Sequence, residues 1–543
     1  MEALIVDALG TGRGGRIATV DAVGAGPRAV AGVLERHGIE PRLATAAQVL
    51  SDGSFLQGVD LLFISAMTVD LPSARRIVRL WRRCWGRGPV VVGGPLASSP
   101  YDAVVRVGAS LAVVGEGEKT LEELMELGLG EGVLPSCEEL RGVRGVAFSE
   151  DGRLVVNPLR PVMPRVEYDS FMPSTRVIVD YPFYFAARVY VEVLRGCSNY
   201  RRTRIPLPDG RRCLGCERCV KGGLRERYDC PASIPPGCGY CSVPSLFGPP
   251  RSRSVRRIVE EISELLDRGV RRIVLSAPDL LDYGRDLLVE PEPLTDPRRP
   301  PPNYEALEEL LSKVTGIPEV ADGEAAVMVE NVKANLVTER AAQILGTYLP
   351  GSPVNIGCET GSAAHSALLG RPSSPGEVLR AVELLRRWGL RPYVYFIHGL
   401  PGQSSETVRE TVRVMEECVR RGAERIILYR FQPLPMSAFG EMPRPPPAKR
   451  DKLSWEMWKA ARRTNLRLKK ELLGRRLRVV LASSYDRDRR FTVAYPLRHG
   501  PVVLVQGGQE LVGRTAEVIV RRVVSDRLVE GELLRVQGSE IPG

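Results

Sequence analysis

At 543 residues the chain is too long for a single hydrophobic core, so two to four domains are expected. Its apolar fraction of 43% suits a globular protein, and neither a membrane-length apolar run nor a basic, apolar, cleavable leader is present, so a reducing, cytoplasmic setting is expected. A net charge of +11, carried by 76 basic residues of which nine are Lys, permits a polyanionic partner.

Residues 1–135 alternate short apolar runs with amphipathic segments. Strands are expected at Ala3–Leu9, Val59–Ser65, Val90–Gly93 and Ala112–Gly115, and helices at Pro27–His37, Leu71–Trp85 and Lys119–Leu127. That alternation predicts an α/β fold, a doubly wound parallel sheet with helices on both faces. Glycine-rich turns, Gly10–Gly15, Gly93-Gly94-Pro95 and Gly115-Glu116-Gly117-Glu118, follow the strands, where such sheets bind ligands. Residues 136–185 read as a linker. From 186 to 448 a second alternating region has strands at Val189–Leu194, Arg272–Ser276, Ala326–Glu330, Val354–Cys358, Pro392–Ile397 and Arg425–Arg430. Six strands with intervening helices predict a partial (β/α)6 barrel. The run Pro435–Pro447 reads as a semi-rigid spacer, and residues 449–472 as a basic helix. From 473 to 543, five short β-type runs predict a small β-barrel.

Cysteines are concentrated in the middle region, seven of the eleven between Cys197 and Cys241. Thiolates at two-residue spacing can converge on one metal or cluster, because a tight turn aims both sulfurs at one place. One set comprises Arg195-Gly196-Cys197, at the end of an apolar strand, and Cys238-Gly239-Tyr240-Cys241. The segment between them, 198–237, carries Cys213-x2-Cys216-x2-Cys219 and Cys230-Pro231. Four thiolates at this spacing serve a 4Fe–4S cluster or a structural Zn²⁺. Cys84, Cys137 and Cys418 read as solitary buried thiols, and Cys358 as a strand residue.

Over about 250 residues the middle region resembles the radical S-adenosylmethionine (radical SAM) superfamily. The resemblance implies that Cys197, Cys238 and Cys241 are the catalytic residues, holding three irons of a 4Fe–4S cluster whose fourth iron binds S-adenosyl-L-methionine. Cys230 is the alternative first ligand. It implies cofactor contacts from Tyr240, from Ser276 in Ser276-Ala277-Pro278-Asp279, and from Glu359 in Asn355–Ser362. Further contacts come from His398, Gly399 and Pro401 in Phe396–Gln403, and the cluster metal set widens to include Cys213, Cys216, Cys219 and Cys230 if a second centre forms. The first 135 residues resemble a cobalamin-binding-type domain, without the histidine of its Asp-x-His-x-x-Gly pattern, so cobalamin is a candidate cofactor. The last 70 resemble a TRAM domain through Leu473-Gly474, Val502–Gly507, Leu511-Val512-Gly513 and Leu528–Leu533.

These resemblances predict a radical SAM enzyme, a transferase or oxidoreductase. It would modify RNA, in particular tRNA, by methylthiolation- or methylation-type chemistry, and draw electrons from a reductant such as ferredoxin or flavodoxin. Arg475, Arg476, Arg478 and the arginines of 487–490 would meet phosphates, and the proline spacer would let the terminal barrel swing over the active site. Two other readings stand beside it: a radical SAM enzyme acting on a lipid, peptide or small molecule, and a non-catalytic RNA-binding protein with structural zinc.

Overall fold

The computed structural model describes residues 1–12, 20–84, 86 and 88–537, and it divides into two compact units. Of the predicted features, Gly14, Gly15 and Trp85 lie outside the described residues.

The first unit comprises Met1–Tyr190 with Ser263–Arg268. Its sheet contains β1 (Ala3–Asp7), β2 (Arg42–Thr45), β3 (Leu61–Ser65), β4 (Val90–Gly93), β5 (Leu111–Val113), β6 (Val146–Glu150) and β7 (Arg153–Val156). The order is β2-β1-β3-β4-β5-β6-β7, the first five parallel and the last two antiparallel. The run 2-1-3-4-5 is a doubly wound order whose ligand crevice opens between β1 and β3. Continuous apolar strands such as Leu4–Val6 and Leu61–Ile64 are buried on both faces, as a helix-covered parallel sheet requires. Helix α1 (Gly26–Arg36) begins with Pro27, whose fixed φ suits a first turn. Helix α2 (Leu71–Cys84) buries Ala74, Ile77, Val78 and Trp81 at helical spacing and turns its arginines outward. The stretch expected as a linker contributes the β6–β7 hairpin, which extends this sheet. Cys84 is exposed and Cys137 half-buried, so neither is the buried thiol expected, whereas Cys418 is buried.

The second unit comprises Val191–Ile262 and Gly269–Gly543. Its strands are β8 (Arg188–Glu192), which enters from the first unit, β9 (Arg272–Ser276), β10 (Ala326–Val329), β11 (Asn331–Val332), β12 (Pro353–Glu359), β13 (Arg391–His398) and β14 (Arg425–Arg430). Strands β10 and β11 are one strand kinked at Glu330: the first half pairs with β9 and the second with β12. The sheet continues β12-β13-β14 in parallel, so six strands curve into the expected partial barrel. Because these strands are parallel, their C-terminal ends, at Leu194, Ser276, Glu330, Glu359 and His398, share one edge.

After β14 the chain turns through the Pro445–Pro447 run into α3 (Lys452–Lys470), capped by Asp451. Near its start Gln403 Nε2 donates to Ser454 Oγ at 3.5 Å; near its end Asn465 brackets the backbone of Ile426, at the beginning of β14. The helix therefore runs back along β14 from the mouth to the far end, about 28 Å for its 19 residues.

There the chain forms a closed five-stranded barrel: β15 (Arg476–Ser484), β16 (Phe491–Pro496), β17 (Val502–Gln506), β18 (Thr515–Val523) and β19 (Leu528–Gln537), in the order β15-β16-β17-β19-β18. Alternate residues, among them Val479, Leu481, Val503, Val505, Val518 and Val520, fill its core. This barrel is docked on the N-terminal ends of the parallel strands. Arg391, first in β13, donates to the carbonyls of Arg498 (3.3 Å) and His499 (2.9 Å); Arg478 donates to Gly323 O and Arg498 to Pro350 O, both at 2.6 Å. Arg272, first in β9, reaches Leu497 O at 3.4 Å. The expectation that this barrel swings over the active site is thus overturned. The proline spacer is seated on the turn after β13, where a Cβ on Gly399 would lie 2.5 Å from Pro445, and α3 then carries the chain to the opposite end.

Candidate active site

At the C-terminal edge of the partial barrel three elements bring the predicted thiols together. The backbone of Leu194 and Arg195 pairs antiparallel with Ser252 and Arg251, and Cys197 N–H donates to Gly248 O at 3.0 Å, which fixes the first loop. Gly196, at φ +92°, allows that turn; a Cβ there would lie 2.1 Å from Pro249 O. Cys241 N–H donates to Cys238 O at 2.8 Å, closing the second turn. Asn199 joins the two loops, its backbone N–H donating to Cys197 Sγ at 3.4 Å and its Nδ2 to Cys238 Sγ at 3.3 Å. Burial, then the nearby Cys238 and Cys197, push the Cys241 thiol up to about 12. Burial also raises Cys197, against the Lys333 ammonium, which favours its thiolate. Cys197 and Cys241 are thus both raised by burial and by the Cys238 thiol beside them, and a bound cation would favour their thiolates.

Among the described residues no three His, Cys, Asp or Glu side chains surround one ion-sized point. A four-iron cluster asks instead for sulfurs aimed at different irons. The residues fit it: Cys197, Cys238 and Cys241 would hold such a cluster, which when bound would supply the electron for reductive cleavage of S-adenosylmethionine.

The predicted cofactor residues lie along the same edge. Ser276 Oγ donates to Glu330 Oε2 at 2.7 Å. Glu359, at φ +66°, ends β12 and accepts from Arg371 Nη1 at 3.1 Å; the same guanidinium donates to Tyr240 Oη and to Gly357 O. Burial raises the Glu359 carboxyl, opposed by that guanidinium. His398, ending β13, is buried, and its Nδ1 has no hydrogen-bond partner. Burial, with Arg430 near it, lowers its pKa, so the imidazole is neutral and one buried polar nitrogen is left for a ligand. Gly399 (φ +76°) takes the sharp turn beyond it, and Pro401 O accepts from His365 Nε2 at 2.8 Å.

Sequence reading missed four residues here. Arg371 and Glu330 are two. Lys333 is a third: half-buried, it meets Asp282 Oδ2 and Asp279 Oδ2 (3.4 Å) and donates to Ser198 Oγ at 2.8 Å. Asp282 is the fourth, and its Oδ1 also faces Arg285. The network braces the residue next to Cys197 against the turn after β9. Asp279, expected beside the cofactor through the Ser276–Asp279 run, is fully buried, where its Oδ1 caps Leu281 N and accepts from Lys333 N.

In the first unit the turn after β1 is tied to the turn after β3 by Asp70, whose carboxylate accepts from Gly10 N (3.1 Å), Gly12 N (2.9 Å) and Met67 N (3.0 Å). Counted from Asp7, the Asp-x-His-x-x-Gly pattern falls on Leu9 and Gly12, so leucine stands where an axial histidine would be. A corrin ring bound at this turn would therefore find leucine, not imidazole, at the pattern's position.

Comparisons with known proteins agree. The radical SAM superfamily pattern matches residues 234–415 and the B12 binding domain residues 18–125. An uncharacterized protein of Methanopyrus kandleri is 43% identical, covering 99% of this chain and 99% of its own length. A tRNA-2-methylthio-N(6)-dimethylallyladenosine synthase of Pelobacter propionicus is 26% identical over 55% of this chain and 63% of that protein. Among solved structures, the radical SAM methyltransferase TsrM of Kitasatospora setae, with cobalamin and a [4Fe-4S] cluster bound, shares the fold. Its TM-score is 0.57 at 17% identity, over 81% of this chain and 77% of that one. No helix among the described residues is long and apolar enough to cross a membrane. An enzyme carrying a radical SAM domain behind a B12-binding domain, the chain belongs to the family of the Methanopyrus kandleri protein.

Proposed function

We propose that this enzyme cleaves S-adenosylmethionine reductively and transfers a one-carbon group to RNA, with tRNA the foremost substrate and a corrinoid held in the first unit. The observation that carries the RNA reading is the outer face of α3. Lys459, Arg462, Arg463, Arg467 and Lys470 are exposed there at helical spacing and rim a groove beside Trp458. Trp455 and Trp458 stack at 4.5 Å, and the Arg462 guanidinium lies 5.2 Å over the Trp458 ring. Cations along a line with an aromatic platform suit a phosphodiester chain whose bases stack. The face starts at the mouth end of the partial barrel and leads to the terminal barrel, which is TRAM-like and exposes Arg475, Arg476, Arg487 and Arg489. Arg478 is committed to Gly323 O, whereas Arg476 and Arg490 remain exposed beside Glu517 and Asp488, so Arg478 alone leaves the phosphate-binding set expected from sequence.

Methyl transfer is the chemistry favoured over methylthio transfer. Methylthiotransferases hold an auxiliary cluster with three cysteines in the first domain, and residues 1–190 here contain only Cys84 and Cys137. The radical SAM match sets aside the non-catalytic zinc-protein reading. Mass spectrometry of nucleosides from a strain lacking the gene tests the proposal: one modified nucleoside should vanish. An unchanged profile in tRNA and rRNA would leave the lipid, peptide or small-molecule reading in its place.

A further inference from the structure

Four cysteines outside the catalytic three line one chamber. Cys213, Cys216, Cys219 and Cys230 face a cavity of about 190 Å³ whose walls include Arg202 and, from the partial barrel, Gly370 and Arg371. None of the four is in a disulfide. The segment that supplies them, 198–237, has little regular structure: one helical turn at Arg218–Lys221 and one 3-10 turn at Glu226–Tyr228. Its fully buried apolar residues are few, Tyr200, Leu207 and Ile234 among them. Leu207 and Ile234 join Leu369, Leu400, Phe431 and Phe439 in a core over the C-terminal ends of the strands. A long coil with so small a core needs a staple, as small metal-organised domains do.

The interior of the segment is already cationic. Arg202 is buried and donates to the carbonyls of Ile234 (2.8 Å), Tyr228 (3.0 Å) and Arg227 (3.1 Å). Arg227, also buried, holds Cys219 O at 3.1 Å and pairs with Asp296 at 2.7 Å. Arg227 has Asp296 for its charge, and thiolates on a metal centre would give buried Arg202 an anionic neighbour as well.

We infer that Cys213, Cys216, Cys219 and Cys230 bind a second 4Fe–4S cluster, which fastens segment 198–237 over the active-site mouth. Among the described residues no three Cys, His, Asp or Glu side chains converge on one ion-sized point, and the four thiols are instead spread around a chamber, which favours a cluster over a single ion. Tetrahedral Zn²⁺ draws four sulfurs to about 2.3 Å and leaves no chamber. The space here is more than ten times the roughly 10–15 Å³ that one water needs by the same measure. The chamber is also close to the catalytic loop. Gly370 O, in its wall, accepts from Asn199 Nδ2 at 3.0 Å, and that nitrogen also donates to Cys238 Sγ. With all four cysteines as ligands the second cluster has no open iron, so S-adenosylmethionine leaves it unperturbed.

The test uses the full chain purified without oxygen. Wild type should hold about eight irons and eight sulfides, as two four-iron clusters require. The Cys197→Ala/Cys238→Ala/Cys241→Ala variant should keep about four of each, with an EPR signal after reduction that S-adenosylmethionine does not alter. One equivalent of zinc in that variant, or loss of all iron from it, overturns the inference. Should the variant fail to fold, the wild type decides: reduced protein should show two cluster signals, of which S-adenosylmethionine changes one. A single signal, wholly responsive, overturns it. None of these readouts depends on the identity of the substrate.

Discussion

Cys197 and Cys230 competed as first ligand on spacing alone, and the structure puts them in different places. Cys197 faces Asn199 and Lys333, whereas Cys230 lines the four-thiol chamber. Replacing Cys197 with Ala should therefore abolish 5′-deoxyadenosine formation, measured by chromatography, while Cys230→Ala retains S-adenosylmethionine-responsive iron. The reverse result would exchange their roles. Arg371 is a second residue whose loss should be severe. It is buried between Glu359, Tyr240 Oη and Gly357 O, and removing one partner of such a pair leaves an uncompensated charge at about 3–5 kcal/mol. Arg371→Met should lower the unfolding midpoint sharply, with Arg371→Lys intermediate. Lys469 works against the fold. Burial, then Arg425 and Arg391 beside it, bring its ammonium down to about 8. Above that value the folded chain has lost a proton that the unfolded chain keeps until about 10.4. Stability tied to this residue therefore rises from about pH 8 to 10, and the penalty is fully present at pH 7. Lys469→Met should stabilise the protein at pH 7 by roughly 2 kcal/mol and by little at pH 10, read from denaturant midpoints. Equal gains at both pH values would refute the charge explanation.

The strands were legible because parallel, buried strands read as apolar runs ended by Gly or Pro turns. All six runs of the partial barrel appear within a residue or two, apart from the kink at Glu330 and a late start for Leu194. Contacts made by topology were not legible. Arg371 lies 12 residues beyond its partner Glu359, and Lys333 reaches back to Ser198 and Asp282; no local pattern announces either. The Pro435–Pro447 run reads as a semi-rigid spacer, and only the packing of Pro445 on Gly399 shows that it is seated. This changes what truncation should do. Arg272, Arg391, Arg478 and Arg498 bond across the junction of the two barrels. Removing residues 473–543 should thus destabilise the partial barrel and reduce cofactor cleavage. Binding is better tested on α3. Exchanging Lys459, Arg463 and Arg467 for Gln removes exposed charges without touching the buried face. It should weaken tRNA binding and reduce the log–log salt slope by about one unit per lost phosphate contact. An unchanged slope would show that the helix does not touch RNA.

At the scale of the whole molecule, a unit with a B12-binding domain and a unit with a radical SAM domain are joined in one chain, and the first differs from the Asp-x-His-x-x-Gly pattern at one residue. The chain has four histidines, and only His37 lies before residue 190. His37 caps the C-terminal end of α1, outside the crevice between β1 and β3, while Leu9 stands at the axial position of the Asp-x-His-x-x-Gly pattern. Leu9 is itself held in place: its N–H donates to Asp7 Oδ1 at 3.1 Å, and Asp7 Oδ2 accepts from Tyr181 Oη at 2.7 Å. A carboxylate that would steady an imidazole in other domains of this type steadies the turn here. A cobalamin seated in the first unit would therefore meet leucine, not imidazole, at the pattern's position. Titrating the full chain with cob(II)alamin should saturate at one equivalent. The EPR spectrum of the bound corrinoid should lack nitrogen superhyperfine splitting from a protein imidazole, and His37→Ala should leave both stoichiometry and spectrum unchanged. A nitrogen-split spectrum that collapses in the His37 variant would mean that α1 rearranges to supply the ligand. Failure to bind any corrinoid would mean that the crevice between β1 and β3, beside the turns that Asp70 ties together, serves another molecule.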